Sequence, residues 1–91
     1  MRLARFEEGR DHALIVRTLD ARGLACPLPL LHARRELPSL AAGDTLIVLA
    51  TDPEAPIDLA AFAADEGLAF ASEALDGEWR IALSIVAAGG G

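Results

Sequence analysis

Cysteine occurs once in this 91-residue chain, at Cys26. A lone thiol closes no intramolecular disulfide, and with His12 and His32 as the only histidines it falls short of a structural zinc ligand set. Lysine is missing altogether: all eight positive charges are Arg, set against 14 acids for a net charge of -6. That balance argues against a nucleic-acid backbone or an anionic membrane as main partner, since both call for a surplus of positive surface. Aromatics make up only 4% of the chain, so Leu, Ile, Val and Ala must fill the core, and a 53% hydrophobic content excludes a disordered polymer. No apolar run reaches the roughly 18 residues of a membrane span. The opening stretch Met1 to Glu8 turns acidic before a hydrophobic segment of signal-peptide length can form, which predicts a cytoplasmic protein. The length allows one domain with one modest core.

The pattern along the chain predicts four strands and two helices. Residues 1 to 12 have mixed charge without periodicity and read as a flexible extension. Ala13 to Leu19 reads as a first strand, broken by Gly23. Pro27 and Pro29 suit the first turn of a helix running to about Leu37, with Leu30, Ala33 and Leu37 on its inner face and His32, Arg35 and Glu36 toward water. Pro38 ends it. After the turn Ala42-Gly43-Asp44, the run Thr45 to Ala50 reads as the central strand. Asp52 reads as the N-cap of a second helix over about Glu54 to Glu66, burying Leu59, Phe62 and Ala63, with Gly67 as its left-handed end. Ala69 to Leu75 and Glu78 to Val86 form a hairpin around Asp76-Gly77, with Trp79 packed in the core or on the sheet. The glycine-rich stretch 87 to 91 reads as a flexible tail. The expected fold is a two-layer α/β (α+β) sandwich spanning residues 13 to 86, ordered βαβαββ, with both helices on one face of a mixed four-stranded sheet.

Chemistry points to Cys26. Placed as the N-cap of the first helix, its thiol meets the positive end of the helix dipole and the free N–H of Leu28, while the connecting loop leaves it open to another protein. With no carboxylate near it in sequence until Glu36, its pKa is expected about one unit below the ordinary value of about 8.5. A thiolate that is nucleophilic and reachable suits persulfide exchange. The plain alternative is a small buried hydrophobe that happens to precede a helix. Gly23 serves a backbone conformation closed to other residues, and Asp20 caps the turn before the cysteine. His32 reads as a surface histidine rather than a base.

The segment Leu19-Asp20-Ala21-Arg22-Gly23-Leu24-Ala25-Cys26-Pro27-Leu28-Pro29 resembles the TusA family, marked by Cys-Pro-x-Pro after an Asp-x-x-Gly-Leu lead. The likeness continues through Gly43-Asp44, Asp52-Pro53, Asp58-Leu59, Phe62-Ala63 and Gly67 to the closing hairpin. It implies a sulfur carrier rather than a turnover enzyme. The motif cysteine, here Cys26, takes a sulfane sulfur from a cysteine desulfurase or a rhodanese. An acceptor protein then draws on it for tRNA thiolation, molybdenum-cofactor assembly or sulfur metabolism. Asp20, Arg22, Gly23, Leu24, Pro27 and Pro29 support the motif, and Arg34 and Arg35 match a basic pair suited to docking a partner, their plainer role being a solvated helix face. No metal and no cofactor beyond the covalent persulfide are implied. Pro38, Ile57 and Leu68 depart from the family pattern.

Two other functions compete. The ending Gly89-Gly90-Gly91 invites comparison with β-grasp carriers that bear a C-terminal thiocarboxylate, although their fold begins with a hairpin and this one ends with one. A second competitor is a regulatory or interaction module of the same fold. In it Ile47 and Leu49, or their alternates Leu46 and Val48, form an apolar patch on the helix-free sheet face, suited to a homodimer or partner contact.

Overall fold

A computed structural model describes residues 14 to 86. The expected extension over 1 to 12 and the tail over 87 to 91 lie outside the described residues. The elements are β1 (Val16–Ala21), α1 (Leu28–Glu36), a 3₁₀ turn (Leu37–Ser39), β2 (Thr45–Ala50), α2 (Ala55–Glu66), β3 (Ala69–Leu75) and β4 (Glu78–Ser84).

The sheet order is β1-β2-β4-β3. Strands β1 and β2 run parallel in the register Leu19 to Val48, whereas β4 pairs antiparallel with both β2 and β3. The last strand thus inserts between β2 and β3. Helix α1 packs on β1 and β2, α2 packs on β3 and β4, and the helices touch each other, so one layer of helices covers one face of a mixed sheet.

Alternation decides the two faces. Leu46, Val48, Ala50, Ile81 and Leu83 point to the helices and are fully buried, meeting Ala33 of α1 and Leu59, Phe62 and Ala63 of α2 in one core. Leu30, Leu37 and Trp79 pack half-buried against it. His32, expected toward water, is half-buried as well. The helix-free face carries Ile47 and Leu49. Ile47 stands between Thr18 and Ala82 in register and is buried, and Leu49 stands between Asp20 and Arg80. Small and polar neighbours thus break up the apolar patch anticipated on this face.

Local chemistry sets the ends. Pro38 stops α1 and the chain continues as a single 3₁₀ turn. Gly67 closes α2 at φ 71, and the hairpin turns on Asp76 at φ 50 and Gly77 at φ 79, the left-handed pair that a two-residue turn requires. The first strand lies two to three residues later than its apolar composition indicates, ending at Ala21. Its parallel pairing with β2 overrides local propensity there.

Asp44 is the single buried charged residue among those described. Its Oδ1 accepts from the Ile15 N–H at 2.9 Å and its Oδ2 from the Ala41 N–H at 2.8 Å, while its own carbonyl accepts from the Ile85 N–H at 2.9 Å. One residue therefore ties together the entry to β1 and the turn before β2 through its side chain, and the exit of β4 through its backbone carbonyl.

Candidate functional site

Because β1 and β2 run parallel, the loops that leave them emerge side by side at the same end of the sheet, and both helices begin there. Two bonds staple these loops together. The Gly23 N–H donates to Thr51 Oγ1 at 2.9 Å, and the Cys26 N–H donates to Asp52 Oδ2 at 2.6 Å. Gly23 sits at φ 84, which the tight path from strand to motif demands. Leu24, half-buried, anchors the same loop to the core, and its N–H donates to the Ala21 carbonyl at 3.2 Å.

Asp20 and Arg22 lock each other beside the motif. The Arg22 guanidinium donates to both oxygens of Asp20 at 2.9 Å, and its backbone N–H reaches Oδ1 at 3.1 Å. These bonds hold the Asp20 carboxyl down at about 2. Arg22 also extends to Glu78 at 3.4 Å, across to the sheet.

Cys26 is exposed, but it is not the N-cap. Pro27 occupies that position at φ -100 and ψ 21, joined to Cys26 by a cis peptide, and the helix starts at Leu28 with Pro29 buried in its first turn. The Leu28 N–H expected to face the thiolate donates instead to the Ala25 carbonyl at 2.9 Å. That donor is thus spent on the motif's own backbone.

What does face the thiol is acid. Cys26 Sγ donates to Asp58 Oδ2 at 2.6 Å, from the first turn of α2. That hydrogen bond pushes the thiol up to about 11, with desolvation and the charges of Asp58, Asp52 and Glu54 acting in the same direction. The expected fall in pKa is therefore reversed. Linear distance hid the cause, since Asp58 stands 32 residues from the cysteine. The signal that exposes it is topological: two helices following two adjacent parallel strands start at one end of the sheet, so an acid in the first turn of the second helix belongs near the first helix's entry.

Asp52 likewise differs from its expected role. Glu54 holds the N-cap position of α2, without a side-chain cap, and Asp52 bridges instead, accepting from the Glu54 N–H through Oδ1 and from the Cys26 N–H through Oδ2. Its carboxyl is held below the usual range by those two bonds. Arg34 and Arg35 lie in the last turn of α1, about 10 Å along the helix axis from its start, and so stand apart from Cys26. Arg34 stacks over the Phe62 ring at 5.8 Å to the centroid and lines a cleft with Leu37, Pro38, Glu66 and Leu68. Asp20, Arg22, Gly23, Leu24, Pro27 and Pro29 are gathered around the thiol's loop.

The described helices include none long and apolar enough to cross a membrane. In crystal form, a SirA-like protein from Desulfitobacterium hafniense has the same fold, superposing with a TM-score of 0.72 at 25% identity over 80% of this chain and all of its own. In sequence, a candidate sulfur carrier of Neisseria meningitidis serogroup A is 52% identical over 50 residues, 55% of this chain and 68% of its own. The sulfur carrier protein TusA of Allochromatium vinosum is 49% identical over 49 residues, 54% of this chain and 64% of its own. The family described as sulfurtransferase TusA matches residues 17–85, from the first strand through the last, and this chain belongs to that family of sulfur carriers.

Proposed function

We propose that the protein carries sulfane sulfur as a persulfide on Cys26, taking it from a cysteine desulfurase or a rhodanese and passing it to an acceptor protein. The observation that supports this most directly is the exposure of Cys26 in a loop fixed to its neighbour by the Asp52 bond, which presents the thiol to a docking protein. In the loading step Cys26 Sγ, as thiolate, attacks the terminal sulfur of the donor's persulfide. A new S–S bond forms on Cys26 and the donor's S–S bond breaks. The electron pair leaves on the donor's cysteine, which takes up the proton that Cys26 gives up, so no oxidant or reductant is consumed. The hand-off repeats the step in the other direction, toward an acceptor in tRNA thiolation, molybdenum-cofactor assembly or sulfur metabolism. No further cofactor enters. The cytoplasm suits this chemistry because its thiol pool keeps a lone cysteine reduced.

Incubation with a cysteine desulfurase, free cysteine as the sulfur source and the purified chain should add one sulfur atom, seen by mass analysis without reductant. A chain that stays unmodified with competent desulfurases and rhodaneses alike would reject the proposal. Deleting residues 88 to 91 should leave the adduct in place. Its loss on truncation would favour a thiocarboxylate at the glycine-rich end.

A further inference from the structure

Sulfur exchange needs a thiolate, yet the structure points the Cys26 S–H at a carboxylate that stabilises the protonated thiol. Sγ donates to Asp58 Oδ2 at 2.6 Å, and Asp58 is held in place as part of α2, its N–H donating to the Glu54 carbonyl at 3.0 Å. The charged groups acting on the thiol come from the β2–α2 loop, as Asp52 and Glu54, and from α2, as Asp58, and all three are negative. Arg22, from the motif's own loop, is engaged with Asp20 and Glu78. Arg34 and Arg35 sit at the far end of α1.

We infer that Asp58 is a positioning residue that keeps Cys26 as a neutral, unreactive thiol in the free carrier, and that the sulfur-exchange partner releases it by setting a cationic side chain against that carboxylate. This rests on Cys26 being the sulfur-bearing atom and adds the condition under which it becomes reactive. The physical logic has two parts. A carboxylate that accepts the S–H hydrogen bond stabilises the protonated form and repels the thiolate. An Arg or Lys brought to Asp58 by a docked protein competes for the same oxygen and reverses the local charge, so the thiolate forms only in the complex. The net charge of -6 draws a basic docking face toward this chain in any case. The gain is selectivity: small oxidants and alkylating agents bring no cation and meet a thiol, whereas a docked donor meets a thiolate.

The experiment compares the wild type with Asp58→Asn, which keeps the side chain's shape but removes its charge, and with Asp58→Ser as a second variant. Matching thermal unfolding serves as the folding control. In the first arm, iodoacetamide alkylation of Cys26 is followed against pH without any partner. Removing the charge should raise the rate at pH 7.5 on the order of tenfold, because the gain in thiolate fraction exceeds the loss of intrinsic nucleophilicity. An unchanged rate and midpoint in both variants would overturn the inference. In the second arm, loading by a cysteine desulfurase is measured at low and high salt. Wild-type loading should slow several-fold as salt screens the partner's cation, and Asp58→Asn should show a measurably shallower dependence, the rest coming from the chain's remaining net charge. An identical salt slope in wild type and variant would overturn the partner's role. The first arm needs no sulfur, so a chain that never loads would remove the carrier proposal while leaving the Asp58 effect readable.

Discussion

Cys26→Ser should leave the protein folded and wholly unable to take up sulfur. The thiol is exposed and contributes nothing to the core, and the backbone bond from residue 26 to Asp52 survives any change of side chain. A serine hydroxyl still donates to Asp58, so the loop keeps its shape. What disappears is the only atom able to form and release an S–S bond under mild conditions, since the sequence holds no second cysteine. The measurement is mass analysis after desulfurase treatment, beside thermal unfolding of both proteins. Loading should fall from one sulfur atom to none with an unfolding midpoint within a few degrees of wild type. A variant that still gains sulfur would move the acceptor atom elsewhere in the chain.

Asp44→Ala should be the most destabilising change of a polar residue in the domain, by about 2–4 kcal/mol. The Asp44 side chain accepts from two backbone N–H groups, of Ile15 and Ala41, at a point where it is only 1% exposed. Alanine leaves both donors without that acceptor, and each such group costs roughly 1–3 kcal/mol when water cannot replace the partner. In a domain of this size the loss lowers the unfolding midpoint by on the order of 10–20 °C. Asp44→Asn should recover little, because an amide offers one oxygen and turns an NH₂ toward the second donor. Urea unfolding monitored at Trp79 checks both variants. A midpoint shift worth under about 0.5 kcal/mol for Asp44→Ala, the scale of an ordinary surface change, would show that water satisfies these donors.

How much was legible in sequence depended on how local the cause was. The hairpin at Asp76-Gly77, the left-handed stop at Gly67 and the stop at Pro38 each follow from one or two residues whose allowed dihedrals leave few choices, and each stands where the sequence puts it. The alternation along β4 and the apolar run of β2 likewise identify the central strands. Structure departs from the local reading where a distant element supplies the decisive group. Cys26 reads as a helix cap from its own neighbourhood, but Pro27 holds the cap position one residue later, and the Leu28 N–H turns back to Ala25. Asp52 looks like the cap of the helix that follows it, yet half of its carboxylate serves the other loop. The thiol's environment is hidden from the sequence for the same reason. Its governing charge is near in space and far along the chain.

The bond between Sγ and Asp58 exists only while α1 and α2 share one end of the sheet. A chain that has lost its tertiary structure parts the two groups, and its cysteine returns to the ionisation of a free thiol. The reagent that labels the native protein slowly therefore labels the unfolded one fast at neutral pH, the reverse of what happens when a helix N-terminus activates a thiol in the folded state. Cys26 is in this sense an internal reporter of the folded population. Its labelling rate rises with the unfolded fraction, because each opened chain offers a more reactive thiol than the folded one.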